Sequence, residues 1–177
     1  MNRDTGRPIL KGAARKIGPP LHTRKPKDKT MFSSALPDPD YQAEFYAGVP
    51  FKRGMAWIVD TVLTVILTAI IVPFTAFTAL FFLPFLYLIV NLLYRWISLS
   101  RSSATPGMRF AAIEFRRSDG RVFDTATAFM HTLGYSLSIA FVLPQVLSIA
   151  MMLLGPRGQG LTDTVLGTVA LNKTARF

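Results

Sequence analysis

The sequence predicts an α-helical membrane protein: a transmembrane hairpin, a third membrane segment that is a proline-broken helix or a re-entrant segment, and a small cytoplasmic β-hairpin or sheet. Three observations predict it. Between Arg53 and Arg95 lie 41 residues, and Asp60 is their only charge. From Thr125 to Pro156 run 32 residues without Asp, Glu, Lys or Arg. Between these runs sits an Arg-rich polar stretch with an Asp119-Gly120 turn. Composition agrees. Half of the 177 residues are hydrophobic and only 17% are charged, where a soluble domain carries about a quarter.

Residues 1–45 read as a disordered basic tail. Nine Lys/Arg fall between Arg3 and Lys29, and prolines recur from Pro8 to Pro39, so no apolar periodicity survives. A secretory signal peptide is not expected, because no apolar stretch follows the basic start. The functional reading of the tail is a polybasic segment lying on anionic lipid headgroups. Met31 is an alternative start, because the basic residues end just before it.

A membrane domain is expected over 46–173, with 174–177 as the C-terminal end. One helix of 41 residues would be roughly 60 Å long, twice a bilayer core of about 30 Å. The chain must therefore reverse, and Pro73 is the expected stop. This places the first crossing near 54–73 and the second near 75–95. Trp57, Tyr94 and Trp96 sit near helix ends, as interfacial aromatics do.

The polar linker 96–124 has a strand pattern. Ala111, Ile113 and Phe115 alternate with Glu114 and Arg116, Ser118-Asp119-Gly120 turns, and Val122-Phe123 follow. Asp-Gly between strand-like runs signals a hairpin. Gly167–Leu171 is a third strand candidate. The last membrane segment, about 126–155, is divided by Pro144 into halves too short to cross alone. Basic residues flank the hairpin on one side only, which places the N-terminus and the linker in the cytoplasm. Pairing of the third strand with the first two favours a re-entrant third segment.

Asp60 is the sharpest candidate site residue, because a carboxylate in a membrane helix is costly and needs a partner. Arg53 stands seven residues earlier, on the same helical face. Thr64 extends the Asp60 stripe by one turn, and Asn91 is placed to reach the same region. Arg95 and Arg109 are the candidate cations for Asp60. Asp163 reads by spacing as a helix-capping acid; with a re-entrant third segment it returns to the interface of the first crossing, where Arg53 is placed to neutralise it. His131, in the third apolar run, is a titratable group at a helix start.

The chain has no cysteine, which excludes disulfides and thiolate chemistry. With two histidines, His22 and His131, no metal site and no cofactor are expected. No nucleotide fingerprint or nucleophile–base pair is present, so no enzyme is expected. The net charge of +10 points to an anionic membrane surface rather than to nucleic acid.

Arg53-Gly-Met-Ala-Trp-Ile-Val-Asp60, Ser103-Ala-Thr-Pro-Gly-Met-Arg109, the Asp119-Gly120 turn and Leu161-Thr-Asp163 together resemble the RDD family of small bacterial membrane proteins. The resemblance covers about 45–173. It implies a multi-pass protein of the bacterial cytoplasmic (inner) membrane with a signature cluster of Arg53, Asp60 and Asp163. It also implies either a small transport or cation- and proton-handling module, or an accessory or assembly subunit. The partners implied are the lipid bilayer and a second copy or a membrane protein. Met108 stands where the family often carries Lys, and Thr162 where it often carries His.

Overall fold

The computed structural model describes residues 36–173. The basic tail up to residue 35, the alternative start at Met31, His22 and residues 174–177 lie outside the described residues. Of residues 36–45, assigned by composition to the tail, Leu36 is buried and Phe45 packs beside it, while Asp38 and residues 40–44 are exposed. Leu36 and Tyr46 are buried with Val169 and Leu171, and the Tyr46 hydroxyl donates to the Pro37 carbonyl over 2.7 Å. A few apolar side chains anchored in this way override the polar composition around them.

The first helix, α1, runs Val49–Phe74 behind a left-handed Gly48 (φ 67°) with Pro50 in its first turn. Its buried side carries Ala56, Asp60, Thr64, Thr68 and Val72. Its exposed side carries Ile58, Val62, Val65, Ile66 and Ile70. Polar groups face inward and aliphatic groups outward, the reverse of a soluble helix, as lipid requires.

The reversal is longer than Pro73 alone predicts. Ala76 and Phe77 adopt left-handed conformations, a 3-10 turn spans Thr78–Phe82, and α2 runs Leu83–Ser102. The second helix is therefore shifted from the expected 75–95. Hydropathy cannot separate the apolar turn from a helix, whereas Pro84 belongs in a first turn. Arg95 does not end α2, because it is buried and partnered on the inner face. Two segments, Ala43–Phe74 and Thr78–Ser102, are long and apolar enough to cross a membrane.

A short helix α3, Pro106–Phe110, follows, capped by the Thr105 side chain. Strand β1, Ile113–Arg117, comes next. The expected local hairpin does not form. The turn is present, with the Gly120 N–H donating to the Arg117 carbonyl over 2.8 Å. Val122 and Phe123 are not a strand. The Phe123 N–H goes to Ser103 Oγ (2.6 Å) and its ring stacks on Phe115 at 5.3 Å. The partner of β1 is instead β2, Thr168–Asn172, antiparallel, with Phe115 opposite Ala170.

Helices α4, Thr125–Ala140, and α5, Val142–Leu154, are bent by 115°. The break is at Phe141, in extended conformation, and not at Pro144. Pro144 sits in the first turn of α5, where its missing N–H costs nothing. Asp124 caps α4 through the Thr127 N–H (2.7 Å). Both ends of the bent pair lie at the same end of the α1–α2 hairpin. Trp96 donates to the Thr125 carbonyl (3.2 Å) at the start of α4. After α5, the Gly158 carbonyl accepts from Arg53 (3.4 Å), about one turn into α1. The short helix α6, Leu161–Leu166, then leads into β2. The core at this end joins Leu99, Met108, Ile113, Phe115, Phe123 and Ala170.

Candidate functional site

Arg53 and Asp60 share the inner face of α1 but serve two separate clusters. Arg53 reaches Asp163 and Asp60 neighbours Arg95, so the Arg53, Asp60 and Asp163 cluster consists of two sets, each with its own cation. Among the described residues no side chain bonds to both carboxylates.

Asp60 is 4% exposed. The Tyr94 hydroxyl of α2 donates to Oδ1 over 2.7 Å, and the Gly107 N–H donates to the same oxygen over 2.8 Å. The Thr105 hydroxyl donates to Oδ2 over 2.5 Å. Arg95 Nη1 lies 3.9 Å from Oδ2. Its guanidinium rests 3.7 Å above the Tyr135 ring of α4, whose hydroxyl accepts from Trp57 (2.9 Å). A cation over a ring face in a desolvated site is held by the ring quadrupole. The carboxylate joins α1, α2 and α3, and Arg95 extends the set to α4 through Tyr135.

Asp163 is fully buried. Arg53 forms an ion pair with Oδ2, and the Gly160 N–H donates to the same oxygen over 2.9 Å. His131 Nε2 lies 2.8 Å from Oδ1, and the Thr168 hydroxyl donates there over 3.3 Å. Burial by itself would raise the Asp163 carboxyl. The Arg53 charge, the His131 contact and the Gly160 N–H outweigh it and hold the group well below the usual carboxylate range. Asp163 also closes the first turn of α6 by reaching back to the residue before it. His131 is enclosed by Phe115 and Phe123, with ring centroids 4.4 and 5.5 Å away, and its Nδ1 has no hydrogen-bond partner among the described residues.

The RDD family profile matches residues 47–167, more than half of the chain. The chain belongs to the RDD family. It is thus a membrane protein with apolar helices and a small two-stranded sheet. No curated protein and no solved structure shows a significant match to it.

Within this RDD domain the other candidate residues are placed as follows. Arg95 neighbours Asp60, whereas Arg109 is exposed at the end of α3 and forms no ion pair among the described residues. Thr64 donates to the main-chain carbonyl of Asp60 (2.7 Å), so it bonds its own helix and not the carboxylate. Asn91 Nδ2 points to Tyr87 (3.5 Å) and does not reach Asp60. Met108, at the position of a frequent family Lys, is buried in the apolar core.

Sequence reasoning passed over Tyr94, Thr105 and Gly107 as partners of Asp60, and Gly160 and Thr168 as partners of Asp163. Thr105-Pro106 did carry a signal, since Thr before Pro is a helix start. What the start would hold was not visible.

Proposed function

We propose that this RDD domain is a non-enzymatic, multi-pass module of the bacterial cytoplasmic membrane that works as an accessory or assembly subunit. Its N-terminus, its 96–124 linker and the β1–β2 sheet face the cytoplasm, and the α4–α5 pair dips into the bilayer and returns. The positive-inside bias supports the orientation, and the shared position of both ends of α4–α5 supports the re-entrant path. The observation that carries the role is the state of the two carboxylates. Each is buried with both oxygens bonded to protein donors drawn from several elements. Carboxylates held in this way fix the helices and leave their apolar flanks, such as Val62, Ile66 and Leu143, to meet lipid and a membrane partner.

A second reading is proton or cation handling. It is favoured by one observation, the buried His131 whose Nδ1 has no partner beside Asp163. Purification of the full chain in mild detergent after cross-linking tests the choice. A constant heteromeric partner and no ion flux in reconstituted vesicles fit the subunit. A self-associating species that moves protons or cations would overturn it. Orientation is tested separately. The chain lacks cysteine, so Lys173→Cys and Arg121→Cys each introduce a single label site, and both should react with an impermeant maleimide only from the cytoplasmic side.

A further inference from the structure

Leu147, Met151 and Leu154 stand at i, i+4 and i+7 on α5 and form one apolar stripe. Together with Ala150 and Thr164 of α6 they line a groove of about 420 Å³. Where the helix ends at Leu154, the groove wall continues through Gly155 and Pro156 to Arg157. Arg157 is half-buried, and among the described residues no carboxylate lies within ion-pair distance of it. Next along the chain, Gly158 packs near Pro50 in the first turn of α1. Arg157 thus lies level with the entry of α1, where a membrane helix meets water.

An apolar channel that ends in an unpaired guanidinium at the interface has a defined complement. We propose that this groove binds one anionic phospholipid, its acyl chain along Leu147, Met151 and Leu154 and its phosphate on Arg157. Arginine matches phosphate geometry with two parallel donors, and its aliphatic stem lies on apolar surface while the head reaches the headgroup level. The α4–α5–α6 groove around Leu133, Leu137 and Phe141 is of similar size, about 360 Å³, but its lining has no charged residue. Headgroup selection belongs to the Arg157 groove. The assignment rests on the re-entrant placement of α5 proposed above. The sidedness of labelling at Lys173→Cys reports that placement independently of any lipid, so the two failures are distinguishable.

The test is native mass spectrometry of the full chain in detergent, titrated with phosphatidylglycerol or phosphatidylcholine of identical acyl chains. On the unaltered chain phosphatidylglycerol should bind about fivefold more tightly, the effect of one cation near an anionic surface. Arg157→Ala should erase that preference and Arg157→Lys should keep most of it. Ala150→Trp, which fills the groove and leaves Arg157 in place, should weaken both lipids. Equal binding of the two lipids by the unaltered chain would overturn the proposal without recourse to any variant. So would a preference that survives Arg157→Ala, or phosphatidylglycerol binding that free phosphate displaces while Ala150→Trp leaves it intact. A polypeptide retained on this face in place of lipid, and lost in Ala150→Trp, would overturn it as well.

Discussion

The Gly107 N–H donates to Asp60 Oδ1 over 2.8 Å, across 47 positions of sequence. This bond sets the tip of α3 directly on the inner face of α1. A methyl group at Gly107 would lie 2.7 Å from that carboxylate oxygen and 2.9 Å from its carbon. The Ala56 main-chain carbonyl would be nearer still, and neither residue yields easily, since one contact is helix backbone and Asp60 is held by three further groups.

Gly107→Ala is therefore predicted to be among the most damaging single-methyl changes in the chain. Overpacking of this kind costs about 3 kcal/mol. Thermal unfolding in detergent should show a clearly lower melting temperature. An unchanged one would mean that α3 does not rest on this face of α1.

Arg53→Ala should destabilise more than Asp60→Asn. The first leaves the buried Asp163 without its full charge partner, at a cost of about 3 kcal/mol, the low end of the range because Arg53 is 18% exposed. The second keeps an acceptor for the Gly107 N–H, the Tyr94 and Thr105 hydroxyls can rotate, and Arg95, 3.9 Å away, stays on the Tyr135 ring, so the cost is about 2 kcal/mol. Melting temperatures of the two variants decide the order. The reverse order would assign the larger structural role to Asp60.

Acid should reveal Asp163. Its folded-state carboxyl is held below the ordinary value of about 3.9. A depressed group contributes stability that is fully present above its unfolded pKa and is lost as pH falls through the folded one. Asp163 should therefore contribute no slope between pH 7 and about 5, and a loss that begins near pH 4. Asp163→Asn should lower stability at neutral pH and flatten the acid limb. An acid limb identical in both proteins would count against this linkage.

Ala112 joins α3 to β1 with φ at +54° and is exposed, while its carbonyl accepts from the Lys173 N–H over 2.8 Å. A side chain in this left-handed region costs about 1 kcal/mol relative to glycine. Ala112→Gly should raise the unfolding free energy by about that amount and leave the Arg53–Asp163 pair untouched. A destabilised variant would show that the linker's flexibility in the unfolded chain outweighs the relieved strain.

The sequence by itself determined what depends on neighbours along the chain. Uncharged runs beside Lys52, Arg53 and Arg95 mark the membrane segments, because hydropathy is a sum over adjacent residues. Asp119-Gly120 marks a turn, and Arg53 and Asp60 share a face, because helical periodicity is local. Tertiary structure alone decided who meets whom. Val122-Phe123 lost the pairing with β1 to Thr168–Asn172, some fifty residues away, because Phe123 had Ser103 and Phe115 to satisfy it. Arg95, and not Arg109, came to neighbour Asp60, because α2 turns Arg95 toward Tyr135 while α3 leaves Arg109 at the surface. Asp60 had more candidate partners in the sequence than room in the fold. Packing of helices 34 to 110 residues apart selected among them, through distances that no local pattern encodes.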